Sequence, residues 1–364
     1  MSARATEGTC LRKLVRMAKP LCRAAQAQCP RTGPGRPPEF DDWKIAVLIM
    51  VALLKNRKSK SAQYRFLWEY RRQLRRWLKL KRFPSRGTYF ARYRRSHRLF
   101  QEAIRLQGLR ALEEGVATAQ TVSVDKSLIA AHGPPWHAKD RKANRIPPGL
   151  HGVDRDSTWC CSQYHGWVQG YSYEVVVTAD PGTILPLLAS SDTASLSEHV
   201  SFGPKIPQLS QATRYVLADR GYDNNDYGEA VEWDAEGRPT GRHFLGAPNP
   251  RSGRLAPPAS QGMGRAQRQA RQRRRQRLAF YRRARGRRLY RRRSQSVEPF
   301  NDWFKALFGL DQTVWHRGLG NNQTQLLAAV FCYQLLLRYN HRTGHHNGQI
   351  QWILDTLLLL DGLG

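Results

Sequence analysis

The hydrophobic pattern of this chain changes period near Gln120, and that change limits the folds open to it. Before it, Trp43, Ala46, Val47, Met50 and Leu54 recur at the three-and-four spacing of a buried helix. A second helical stretch follows over 61–80, where Phe66, Leu67, Tyr70, Leu74, Trp77 and Leu78 share one face. After Gln120 the apolar runs are short. Residues 121–129 alternate as a strand does, 167–179 form a second strand, and 184–189 form a third behind the Asp180-Pro181-Gly182 turn. Residues 215–218 read as a compact buried strand. A helix capped by Asp223 runs to about Trp233, and 243–247 make a last short strand. Helical stretches over 294–310, 321–339 and 350–360 close the chain. This order predicts an α/β fold: a mixed sheet flanked by helices, with an all-helical region in front of it.

The charge is lopsided. Among 364 residues, 60 Lys and Arg face 28 Asp and Glu, a formal charge of +32. Self-repulsion of that size favours a polyanionic partner, and nucleic acid is the leading candidate. The stretch 237–297 holds 19 Arg and no acid, so affinity drawn from it should fall steeply with salt. Residues 1–38, ending in Thr32-Gly33-Pro34-Gly35, read as a flexible basic arm or linker. Residues 39–115 read as a helical DNA-binding region. In it Pro84 stops one helix and Ser85 caps the next, a helix-turn-helix-like pattern over 83–93. Residues 116–345 form the sheet-bearing region, with an Arg-rich segment at 250–293, and 346–364 a C-terminal helix.

Other classes fall away. The longest apolar run, 45–54, is shorter than the roughly 20 residues a bilayer requires. No leader pattern opens the chain, and the six cysteines lack CxxC spacing. The expectation is a cytoplasmic protein with reduced thiols. His132, His137, His151 and His165 lack the spacing of a zinc site. Trp136, Trp159 and Trp167 are candidates for stacking on unpaired bases, with a core place the favoured reading for Trp167, inside a strand pattern.

Against this basic background three acids stand out. Asp125 lies inside the first strand, where a carboxylate needs a cation or hydrogen bonds to offset burial. Asp219 lies where a Val-Leu-Ala run meets Gly221, at the carboxyl end of a strand, where α/β sheets place ligands. Glu298 opens an amphipathic helix and shares a face with Asp302 and Lys305. Taken singly, Asp219 reads as a turn cap, Asp125 as an arginine partner, and Glu298 as a favourable first-turn acid. Together, carboxylates from two strands and a helix can hold two Mg²⁺ ions beside a phosphodiester.

The three segments resemble the DDE transposases of bacterial insertion sequences, of the insertion-sequence-4/5-like group. Val122-Ser123-Val124-Asp125 resembles the strand of the first acid. Ala218-Asp219-Arg220-Gly221-Tyr222 resembles the second-acid motif, and 290–305 resembles the segment that places the third acid on a helix behind a Tyr and an Arg. Glu298 and Lys305 keep that spacing. Tyr290 and Arg293 each lie one residue further from Glu298 than the pattern has them, and Ser294 stands in the Arg place. The segments around Gly133–Gly149 and Trp315–Asn340 are weaker matches. The resemblance implies a ribonuclease-H-like catalytic domain in which Asp125, Asp219 and Glu298 hold two Mg²⁺ or Mn²⁺ ions. It further implies cleavage of transposon ends and transfer of the freed 3′-hydroxyl into target DNA. Lys305, Arg220, Tyr222, Tyr290 and Arg293 would contact DNA. The partners implied are the terminal inverted repeats and target duplex, and the active form a homodimer in a bacterial, nucleoid-associated setting. A nuclease of the same fold without strand transfer, and a non-catalytic DNA-binding relative, are the alternatives.

Overall fold

In a computed structural model, residues 3–30, 39–162, 166–249 and 264–359 are described. Expectations for 31–38, 250–263 and His165 lie outside these residues. Six helices come first: α1 (Ala3–Gln28), α2 (Asp42–Leu54), α3 (Lys60–Glu69), α4 (Arg71–Leu78), α5 (Arg86–Tyr93) and α6 (His97–Glu113). The strands are β1 (Thr121–Ala130), β2 (Thr158–Ser162), β3 (Gly166–Thr178), β4 (Pro186–Thr193), β5 (Tyr215–Ala218) and β6 (His243–Gly246). Between and after them lie α7 (Ala138–Lys142), α8 (Glu198–Ser201), α9 (Asn225–Glu232), α10 (Arg265–Arg282), α11 (Ala284–Arg291), α12 (Val297–Phe308), α13 (Leu319–Arg342) and α14 (Gln351–Leu359).

The expected mixed sheet is present. β3 pairs antiparallel with β1, β2 and β4, while β1–β5 and β5–β6 are parallel. With helices on both sides and a helical region ahead of it, this is the ribonuclease-H-like arrangement. Alternation along β5 sorts its side chains. Val216 and Ala218 enter the main core, whereas Leu217 joins Ala179 and Leu245 in a second cluster covered by Phe280 and Leu289. The main core runs without a break from the amino-terminal helices into the sheet. α13, buried along nearly its whole length, packs on α2, α6, β3 and β4.

Local signals explain several boundaries. Ser85 caps α5 as expected, its hydroxyl accepting from the Thr88 amide at 3.2 Å. The cap of α9 is Asn224 rather than Asp223. Residues 3–28 differ from the expected arm: they form a 26-residue helix. Its Leu11, Leu14, Val15, Ala18, Cys22 and Ala25 are buried against the main core. Trp167 also differs from expectation. It lies near the start of β3, beyond that strand's pairing with β1, and is 71% exposed, while Trp136 is the buried one. Among the described residues no helix is long and apolar enough to cross a membrane.

Candidate active site

The parallel pairing of β1 with β5 sets the site. Its last registered pair is Val124 with Ala218, so Asp125 and Asp219 are the next residues on adjacent strands. β5 ends there, and the chain turns through a 3₁₀ segment at Arg220–Tyr222. Asp219 caps that turn, its Oδ1 accepting the Gly221 amide at 2.8 Å. Gly221 sits close to two carboxylates. A Cβ there would lie 3.0 Å from Asp219 Oδ1 and 3.1 Å from Glu198 Oε2.

Tyr222 anchors the turn from inside. Its ring is buried, and its hydroxyl donates to Glu174 Oε2 at 2.8 Å. Glu174 in turn accepts from Lys205 Nζ at 2.6 Å and from the Ser201 hydroxyl, a buried network beneath the Asp219 turn. Burial, with the Glu174 carboxylate second, pushes the Tyr222 phenol well above its ordinary range. As placed, Tyr222 is buried beneath the Asp219 turn, with its hydroxyl on Glu174.

Glu298 arrives from the other side. α11 ends at Arg291 and α12 begins at Val297, with turns between them. This break accommodates the extra residue in the Tyr-Arg-Glu spacing, because Arg293 no longer has to lie on the helix of Glu298. Arg293 Nη2 donates to Asp125 Oδ1 at 2.8 Å, and its Nη1 donates to Glu298 Oε1 at 3.1 Å. Its Nε is buried without a partner among the described residues. Tyr290 lies beside the same guanidinium. Burial first, then the neighbouring Tyr281 and Asp219, push its phenol up to about 12, with Arg293 opposing.

The other oxygen of Asp125 is held by a residue the sequence did not flag. Asn301 Nδ2 donates to Asp125 Oδ2 at 2.9 Å, and Asn301 Oδ1 accepts from the Tyr173 hydroxyl at 2.9 Å. Because both ends of the amide are engaged, its orientation is fixed, and so is the rotation of the Asp125 carboxylate. Burial drives the Asp125 carboxyl up to about 6, and Asp219 adds to this, against the pull of Arg293 and Asn301. Even beside a guanidinium, the pocket is short of positive charge. Lys305 lies further along α12; burial lowers its proton affinity, and Asp302, Asp125 and Asp311 oppose this. Arg220 is exposed.

The donors Asp125, Asp219 and Glu298 are hard oxygens of the kind Mg²⁺ takes, and the raised Asp125 carboxyl is what a nearby divalent ion would relieve. The fit is chemical rather than a finished cage. Among the described residues no three His, Cys, Asp or Glu side chains are gathered to hold an ion. Asp125 and Glu298 meet on one guanidinium, and Asp219 is within its electrostatic reach. Sequence reasoning missed Asn301, Tyr173, Glu174 and Glu198. Only Glu174, the lone acid of β3 and next to its Val175–Val177 run, carried a visible signal.

Part of the Arg-rich run is engaged within the protein. Arg273 and Arg277 pair with Glu229, Arg277 also with Glu232, and Arg274 with Asp223. These arginines dock α10 on α9 and its entry turn, so that part of the run is satisfied by the protein itself.

The family model described as Transposase DDE domain matches residues 117–335. Among solved structures, a cryo-EM piggyBac transposase synaptic complex with hairpin DNA is similar at 8% identity. It covers 96% of this chain and 79% of that one, with a TM-score of 0.39. No curated protein matches.

Proposed function

The chain belongs to the DDE transposase family, and from that premise we propose that it cleaves DNA strands at the ends of an insertion-sequence-like element and joins the freed 3′-hydroxyl to target DNA. The observation that carries this reading is the meeting of Asp125, Glu298 and the Asp219 turn around Arg293. Mg²⁺ or Mn²⁺, two ions held by Asp125, Asp219 and Glu298, would activate the attacking oxygen and stabilise the leaving one. The chain's own residues supply the rest. Asn301 and Tyr173 fix the Asp125 carboxylate, and Glu174 and Tyr222 fix the turn of Asp219. Arg293, with an unpartnered Nε and two further N–H groups on carboxylates, can exchange those acids for a backbone phosphate. Lys305 and the exposed Arg220 can neutralise phosphates near the scissile bond. The partners in this reading are the terminal inverted repeats and the target duplex, bound by a homodimer.

The test is an in vitro assay on DNA carrying the sequences that flank the coding region. Wild type with Mg²⁺ should nick the ends and join them to a second duplex. Asp125→Asn, Asp219→Asn and Glu298→Gln should bind the same DNA and do neither. Cleavage without joining would reassign the chain as a nuclease of this fold. Full activity in any acid variant would remove the assignment.

A further inference from the structure

Far along the chain from these acids, α1 and α4 line a cleft of about 390 Å³. Arg12, Arg16 and Lys19 come from α1 at positions i, i+4 and i+7, one stripe of a helix whose opposite side enters the core. Gln73, Arg76 and Trp77 come from α4. Lys19 Nζ donates to the Trp77 carbonyl at 2.8 Å, tying the two walls together. Among the described residues no carboxylate lines the cleft. Both walls come from acid-free sequence: 8–38 and 70–101 contain no Asp or Glu, and 70–101 holds 12 Lys and Arg.

Some neighbouring cations have partners within the protein. Arg71 packs over the Trp68 ring and donates to the Trp68 carbonyl, and Arg75 donates to the carbonyls of Leu80 and Lys81. The guanidinium groups of Arg12, Arg16 and Arg76 belong to exposed residues lining one opening. Lys19 registers the crowding: burial lowers its proton affinity, and Arg23, Lys79 and Arg16 lower it further. Among the described residues no acid lines the opening beside these like charges, and the phosphates of a polyanion would supply the counter-charge.

We propose that the α1–α4 cleft is a docking groove for the sugar–phosphate backbone of duplex DNA, gripped by Arg12, Arg16, Lys19 and Arg76. The choice of DNA rests on the transposase reading above; the choice of surface rests on the cleft. It also extends the expected DNA contact of the amino-terminal region. The helix-turn-helix-like segment at 83–93 buries its tyrosines Tyr89 and Tyr93 and keeps Arg86 exposed, so the cleft adds a second basic surface to that region.

The experiment measures binding of the full-length protein to a 5′-labelled duplex across a salt series. The variants are the triple Arg12→Gln, Arg16→Gln, Arg76→Gln, the matching triple to Lys, and a control triple Lys139→Gln, Lys142→Gln, Arg155→Gln. The positions are exposed, and the Lys triple separates lost charge from lost fold. The Gln triple should lose at least about tenfold in affinity at moderate salt. Its log–log salt slope should become shallower by about two to three, close to one per phosphate contact removed. The Lys triple should keep the wild-type slope, and the control triple should lose much less than the Gln triple. An unchanged slope in the Gln triple, or an equal loss in the control, overturns the assignment of the surface. In that event an intact, acid-dependent cleavage activity would leave the transposase reading standing. Preferential retention of RNA over DNA of the same sequence overturns the assigned partner. Wild-type protein that binds no duplex at all overturns both readings.

Discussion

Asp125→Asn should gain stability relative to the metal-free wild type as pH rises to neutral, although it removes an acid at the centre of the site. Asp125 is largely enclosed, and its carboxyl is raised from 3.8 to about 6, by burial first and with Asp219 adding to it. For a carboxyl raised on folding, the unfolded chain gives up its proton first. Stability is therefore lost as pH rises from about 4 to about 6, and the full loss persists above that range. A shift of this size corresponds to about 3 kcal/mol at pH 7.5 and to roughly half that at pH 5. Asn cannot ionise, so the variant escapes this cost. Its amide also sets two donors against each other at Asn301, a penalty that does not vary with pH. The clean quantity is thus the pH dependence of the difference between variant and wild type. Denaturant unfolding in EDTA at pH 5 and 7.5 measures it. The difference should move in favour of Asn by about 1–2 kcal/mol between the two. A difference that is flat, or that moves the other way, would refute the claim that Asp125 is ionised at a cost in the folded chain.

Three more outcomes follow from other contacts. Asn301→Leu takes the acceptor from the buried Tyr173 hydroxyl and a donor from Asp125 Oδ2, and should cost about 1–3 kcal/mol; adding Tyr173→Phe should recover only the tyrosine's share, read by a double-mutant cycle. Tyr222→Phe removes the bond to Glu174 beneath the Asp219 turn, and should speed hydrogen exchange at the Gly221 amide while leaving DNA affinity unchanged, which NMR or mass spectrometry can follow. Glu114 resists its burial because Arg338 and Arg342 hold it down to about 2. That stability is present above about pH 4.5 and lost as pH falls toward 2, so Glu114→Gln should destabilise the wild-type fold by about 2–3 kcal/mol at pH 7 and by much less at pH 3, measured by thermal melts.

The sheet was legible because its strands carry continuous apolar runs bounded by turn residues, as at 215–218 and 167–179. β2 escaped notice: Thr158–Ser162 is short and half-exposed, pairs only with the outer end of β3, and so lacks an apolar run. α1 escaped because its buried stripe is strongly apolar only at Leu11, Leu14 and Val15 and continues through Ala18, Cys22 and Ala25 among basic residues, and Pro20 reads as a breaker although the helix carries it. The two Asp were readable because an acid in an apolar run is costly and conspicuous. Asn301 was not, since a polar residue on an amphipathic helix looks solvated until β1 and β3 are known to face it. Arg293 was readable in kind but not in geometry. The spacing rule assumes one continuous helix, and the chain breaks between α11 and α12.

The central claim is that Asp125, Asp219 and Glu298 share one divalent-ion site when DNA is bound. Replacing Mg²⁺ by Fe²⁺ in the DNA-bound protein and triggering local hydroxyl-radical cleavage of the polypeptide tests it directly. The account predicts backbone cuts near 125, 219 and 298 together, suppressed by excess Mg²⁺ and lost in Asp125→Asn. Cuts at only one of these segments, or a pattern indifferent to Mg²⁺, would contradict it.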